Sequence, residues 1–326
     1  IRNTTLYADN FTDLLAINIS DVFNARLVKR VEDVYPHHGI TEEGVLTHYD
    51  FEEVTETVDC NSIDGEFLPF DGMVFSESGN LSSGSSAPNS PISVSDRDFS
   101  LSSGQGGSFA RFTLYDNYLY TVTESDLNVF DVSQQDCPNL VNSASIGWGI
   151  ETIFPYGDKL FIGSNSGMDI YDVSNPASPT YISGYTHFTG CDPVFVSGQY
   201  AYVTIRSGTN CNGGTLNQLD ILDITDIFSP VLERSISMDN PHGLSVLEDH
   251  LYLCEGSFGL KVFDASNPLE LDRHRLAHLK DFDAYDVIGL SGAPNRLLLI
   301  GSDGFYQFDV SDPSNPQQLS VISVQR

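Results

Sequence analysis

Five polar residues occupy matching places along the chain: Arg111, Glu151, Asp192, His242 and Asp286. Each stands at or beside the start of a short apolar run, as in Ala110-Arg111-Phe112, Glu151-Thr152-Ile153, Asp192-Pro193-Val194, His242-Gly243-Leu244 and Tyr285-Asp286-Val287. Brought together, a guanidinium, an imidazole and three carboxylates would bind a cation or a polar ligand, or do acid–base work with His242 set against a carboxylate. The same groups would equally serve to hydrogen-bond neighbouring elements and hold water in a polar channel.

Other chemical signatures are missing. The chain has no His-Glu-x-x-His, no Gly-Lys-Ser/Thr phosphate loop, no Gly-x-Ser-x-Gly and no dinucleotide glycine pattern. Asp281-Phe282-Asp283-Ala284-Tyr285-Asp286 is faintly like an acidic calcium loop but lacks its turn glycine and closing glutamate, so it reads as an ordinary connection, and no cofactor is expected. His37, His38 and His48 lack further ligands at metal spacing and read as solvated. None of the five cysteines forms a Cys-x-x-Cys pair, which excludes the usual structural zinc site. Cys191 and Cys211 fall on the same face of one repeat; they form a disulfide if the protein is exported, or are two buried thiols.

The elements that position these residues recur. A short apolar strand, a polar gap and an alternating strand ending in Asp-Val-Ser are followed by Asn-Pro and a second proline. The clearest copy is Lys159-Leu160-Phe161-Ile162-Gly163, then Gly167 to Pro176, then Pro179. The anchoring aspartates are Asp131, Asp172, Asp223, Asp264 and Asp309, spaced by 41, 51, 41 and 45 residues, and Asn18 anchors the first copy 113 residues before Asp131. Period-2 alternation is a strand signal, and about four short strands per repeat, repeated radially, make a β-propeller. The expected fold is all-β, with six countable four-stranded blades, or seven if residues upstream of Ile1 complete the ring. The first copy lacks its apolar first strand, which upstream residues would supply. The recurring Asp invites a catalytic reading, but an Asp repeated with one turn is a turn cap, since its carboxylate binds backbone N–H groups just ahead while Pro ends the strand.

The repeats resemble the LVIVD-repeat family of β-propellers, through Leu-Tyr, Gly-Met or Gly-Leu, Asp-Val-Ser-Asn-Pro and the second proline, from about Leu6 to Ser320. Ala265 replaces the usual valine and Cys137-Pro138 replaces Asn-Pro. The resemblance implies a secreted or surface-exposed propeller, often a Bacteroidota lipoprotein. It implies no established enzymatic activity and assigns no catalytic residue.

Residues 36–108 break the period between an incomplete first blade (1–35) and the remaining blades (109–326). His37 to Glu77 is acidic without Lys or Arg; Gly79–Pro91 and Ser100–Ser108 are rich in Ser and Gly. The loop should overhang one mouth of the channel, with Phe51, Phe67, Phe70 and Phe75 available to pin it.

Composition limits the function classes. With 15 Lys+Arg against 45 Asp+Glu the net charge is −30, which excludes binding to nucleic acid or anionic lipid through basic residues. No apolar run reaches the length of a spanning helix. High acidity and abundant Ser, Thr, Asn, Gly and Tyr fit an exported protein. The expectation is a non-enzymatic binding or scaffold module outside the cell or on its surface, anchored to the outer membrane through a segment upstream of Ile1. It takes a protein or glycan partner on the insertion face, with outer-membrane proteins among the candidates. A hydrolase or lyase at the channel mouth and a purely structural surface protein are the alternatives.

Overall fold

Each repeat folds as one antiparallel sheet in sequence order, because its apolar runs are joined by connections too short for a crossover. The computed structural model describes residues 1–10, 12–35, 40–41, 44–45, 107–186, 193–206, 216–290, 292–293 and 295–324. Blade 1 has three strands, β1 (Thr5–Asn10), β2 (Asp13–Asn18) and β3 (Arg26–Val31). A separate hairpin pairs β4 (Ile40–Thr41) with β5 (Gly44–Val45). Blade 2 is β6 (Phe112–Tyr115), β7 (Tyr118–Val122), β8 (Asp126–Asp131) and β9 (Asn139–Ser145). Blade 3 is β10 (Ile150–Tyr156), β11 (Lys159–Ser164), β12 (Gly167–Asp172) and β13 (Thr180–Thr186). Blade 4 is β14 (Val194–Ser197), β15 (Tyr200–Ile205), β16 (Gln218–Asp223) and β17 (Val231–Ser237). Blade 5 is β18 (Leu244–Leu247), β19 (His250–Cys254), β20 (Leu260–Asp264) and β21 (Arg275–Leu279). Blade 6 is β22 (Asp286–Gly289), β23 (Arg296–Gly301), β24 (Gly304–Asp309) and β25 (Gln317–Ser323). The fold is a six-bladed β-propeller. Its helical content among the described residues is two 3₁₀ segments, Val22–Asn24 and Pro268–Arg273.

The chain divides into two compact units, residues Ile1–Pro36 with Ile92–Arg326, and His37–Pro91. The first is the propeller. Most of the acidic stretch, with its phenylalanines, lies outside the described residues.

The recurring aspartate is a turn cap in blades 2 to 6. The backbone N–H of Ser133, Ser174, Thr225, Ser266 and Ser311 donates to the carboxylate of Asp131, Asp172, Asp223, Asp264 and Asp309 at 2.7–2.9 Å. In blade 1 Ser20 does the same to Asn18 at 2.9 Å. Hydrogen bonds from the backbone and side chain of Ser133, and from the side chains and backbone N–H groups of Ser266 and Ser311, hold the Asp131, Asp264 and Asp309 carboxyls below the ordinary range. The valine between them is buried in the core at Val132, Val173 and Val310, which is why the phrase reads Asp-Val-Ser.

The core lies between blades. Apolar clusters join blade 1 to 2 around Tyr7, Leu114 and Phe130, and blade 2 to 3 around Tyr120 and Ile153. Others join 3 to 4 around Phe161 and Val203, 4 to 5 around Tyr202 and Leu251, and 5 to 6 around Tyr252 and Phe308. The tyrosine of Leu-Tyr adds a polar staple: Tyr7 Oη donates to Gln135 O and Tyr120 Oη to Pro176 O, each at 2.7 Å in the turn of the next blade. Burial pushes the Tyr7 hydroxyl up to about 12 and Tyr120 higher still, so both remain donors at any physiological pH. Tyr120→Phe strands the Pro176 carbonyl and should cost about 1–2 kcal/mol in urea unfolding; an unchanged midpoint would show that the staple carries no stability.

Candidate functional site

The inner strands of blades 5 and 6 begin side by side, with Gly243 N donating to Tyr285 O at 2.9 Å. Across their starts lies the segment Gly107-Ser108-Phe109. Ser108 is fully buried, accepts from Leu244 N at 2.8 Å and donates to Asp286 Oδ1 at 3.3 Å. The Asp286 carboxyl fits between two glycines. A Cβ on Gly107 would lie 2.0 Å from Oδ2, and one on Gly243 would lie 2.1 Å from Oδ1. Burial pushes Asp286 up to about 7, against hydrogen bonds from Val287 N, Ser108 Oγ and Phe109 N that favour the charged form.

His242 is the next polar group. Its ring lies 5.3 Å from Tyr285 and 6.3 Å from Phe109, centroid to centroid. Its Nε2 faces Arg206 Nη1 at 3.4 Å and Asn240 Nδ2 at 3.3 Å. A guanidinium only donates, so Nε2 accepts and the ring proton sits on Nδ1. Burial first, then the Arg206 charge, lowers His242 to about 4, so the ring is neutral at pH 7. Burial likewise lowers Arg206, opposed by the Glu151 charge, and its Nε is buried without a hydrogen-bond partner among the described residues.

These groups line one end of a cavity of about 690 Å³. The other end is apolar, walled by Leu6 of blade 1, Phe112 and Leu114 of blade 2, and Ile288 and Ile300 of blade 6. Of the residues singled out by their place in the repeat, the fold brings His242 and Asp286 to this cavity and sets Glu151 close enough to act on Arg206. Arg111 is exposed, and its charge acts on Tyr35. Asp192, Cys191 and Cys211 lie outside the described residues. Asp281–Asp286 is a connection between blades, with Phe282 packed 5.2 Å from Tyr306 and Ala284 bridged to Gly256. Among the described residues no group of three His, Cys, Asp or Glu could hold a metal ion, and no helix is long and apolar enough to cross a membrane.

Arg206 and Ser108 are the mouth residues that repeat alignment passes over. Arg206 follows the last apolar residue of a second strand, where a basic side chain is conspicuous in so acidic a chain. Ser108 belongs by period to the Ser/Gly-rich stretch, and nothing in its neighbours marks it as buried.

A ring of antiparallel four-stranded blades around a polar-mouthed cavity defines a β-propeller. The LVIVD repeat family matches residues 106–145, 152–187 and 191–237, so three segments of this β-propeller carry LVIVD repeats. No curated protein matches the chain. Among solved structures it is similar to a functionally unknown protein from Desulfotomaculum acetoxidans, at 12% identity and TM-score 0.54 over 98% of this chain and 81% of that one. A protein from Lactobacillus plantarum is similar at 15% identity and TM-score 0.51 over 64% and 69% of the two chains. A periplasmic gluconolactonase of Pseudomonas aeruginosa is similar at 13% identity and TM-score 0.50 over 66% and 68%. At these identities the likeness is one of fold.

Proposed function

We propose that this propeller is a non-enzymatic binding module whose ligand site is the mouth of the hub cavity. The observation that carries the reading is the half-buried Arg206 guanidinium, whose Nε is buried without a hydrogen-bond partner among the described residues, lining the same cavity as the Phe109 and Tyr285 rings. A cationic fork flanked by aromatic faces suits a planar ligand bearing a carboxylate. The acidic composition supports a setting outside the cytoplasm, at the cell surface or in an outer-membrane assembly, where a protein or glycan partner would supply the ligand group.

The test is calorimetric titration with 2-naphthoate, with 2-naphthylmethylamine as the control of opposite charge. Naphthoate should bind and the amine should not, and Arg206→Met should weaken naphthoate roughly ten- to hundredfold, the worth of one or two charge-assisted hydrogen bonds. Equal behaviour of the two probes would overturn the reading.

One observation favours a second reading, in which the mouth is catalytic: a carboxyl near neutrality facing a cavity is suited to general acid work. Against it, His242 Nε2 faces a cation and an amide, and at about 4 the ring is a weak base.

A further inference from the structure

Among the described residues blade 1 has no inner strand, and the backbone before Thr5 already has the geometry of one. In blades 2 to 5 the inner strand reaches the second through two residues, the first at positive φ: Asp116 (52°), Gly157 (59°), Gly198 (58°) and Glu248 (53°). The carbonyl of the second turn residue then accepts the N–H that follows the anchoring Asp, as in Asn117 O with Val132 N at 2.8 Å and Asp158 O with Val173 N at 2.9 Å. Blade 1 repeats each feature. Asn3 has φ 48°, Thr4 O accepts from Ile19 N at 2.8 Å, and Arg2 and Thr5 exchange both backbone hydrogen bonds at 2.8 and 2.9 Å. Arg2 also clasps the Asp116 carbonyl and the Asn117 side chain of the neighbouring turn. Arg2–Thr5 is therefore the first rung of a hairpin whose inner arm lies N-terminal to Arg2.

That arm would run into the apolar end of the cavity. In blade 2, Val122 N bonds inward to Arg111 O at 2.9 Å; by the same alternation Tyr7 and Asp9 turn their backbone N–H and C=O groups to the slot. The slot is underfilled. Ile300 is 48% exposed, whereas Cys254, its counterpart in blade 5, is fully buried, and no apolar cluster joins blade 6 to blade 1 among the described residues.

We propose that this slot accepts a β-strand, antiparallel to β1, and that its occupant is the polypeptide continuing N-terminally from Ile1. Ile1 pairs with Leu6, the residue before it with Tyr7, and two residues further back lies the partner of Asp9. Both faces of that strand meet apolar walls, Phe112 and Leu114 on one side and Ile288 and Ile300 on the other, so it is apolar throughout rather than alternating. It fills the apolar end and leaves the Arg206 end open.

The test extends the chain before Ile1 by six residues in three versions: six valines, the same with proline immediately before Ile1, and Gly-Ser repeats. The valine extension should raise Tm by several degrees over Gly-Ser and slow hydrogen exchange at the Tyr7 and Asp9 amides about tenfold or more. Proline removes the N–H that bonds the Tyr7 carbonyl, and should abolish most of both effects. A free valine-rich hexapeptide protecting the same two amides in the Gly-Ser version would also support the slot. Equal Tm and equal exchange in all three versions would overturn the proposal, as would a proline version indistinguishable from the valine one.

Discussion

Lys261→Ala should destabilise the propeller by about 3–5 kcal/mol at pH 8, the usual cost of removing one partner from a buried ion pair. Lys261 rises from β20 with its side chain 7% exposed, and its Nζ lies 2.8 Å from both Glu255 Oε2 and Asp239 Oδ2. Glu255 is wholly buried. Its Oε2 also accepts from Asp239 N at 3.1 Å, while its Oε1 has no hydrogen-bond partner among the described residues. Burial already raises the Glu255 carboxyl, and the Lys261 contact opposes that rise. Without the ammonium, the carboxylate must either stay charged in a dry site or take up a proton. Its folded pKa then rises further above its unfolded value, so the variant loses stability as pH climbs through that interval and recovers it as pH falls. Urea unfolding at pH 5 and pH 8 should show the deficit shrinking at the lower pH. The double variant Lys261→Met with Glu255→Gln should regain most of the loss. A deficit under about 1 kcal/mol, or one independent of pH, would mean that water reaches Glu255 and that the pair is ordinary surface electrostatics.

The second large effect belongs to Asp286→Asn, and it runs in the stabilising direction. With its folded pKa raised to about 7 by burial, Asp286 holds a proton in the folded state across a range where the unfolded chain has released it. Stability therefore falls as pH rises from the ordinary carboxylate range to about 7, and above that the full penalty of a buried charge is present. At about 1.4 kcal/mol per pH unit the window allows up to ~4 kcal/mol. Because the carboxyl lines a cavity that solvent reaches, about 2–4 kcal/mol is the expected range. Asparagine keeps the shape between Gly107 and Gly243 without the charge. The variant should thus match the parent near pH 5, exceed it at pH 8–9, and show a flatter stability–pH curve in guanidinium titrations. Parallel curves for the two proteins would place the Asp286 titration outside this window.

How much of this was legible beforehand differs from residue to residue. The turn-capping role of the recurring aspartates could be read directly, because Asp, Val, Ser and Pro act on backbone atoms one to four residues away. His242 and Asp286 could be placed at the mouth because they hold equivalent positions in a repeat, and the repeat dictates where an inner strand starts. Their states could not: the neutral His242 ring depends on burial and on Arg206, which lies 36 residues earlier in the sequence, and the raised Asp286 carboxyl depends on burial between Gly107 and Gly243, which arrive from elsewhere. Nothing in the sequence around Lys261 shows that Glu255 and Asp239 enclose it.

Alone, the sequence determined the period, the strand alternation, the turns and hence the propeller, since each rests on interactions within a few residues or on a pattern repeated at fixed spacing. The tertiary structure alone decided which side chains share a dielectric environment at the hub. Charge states and cavities are set by distances between segments far apart in the chain, and one sequence carries no record of those distances.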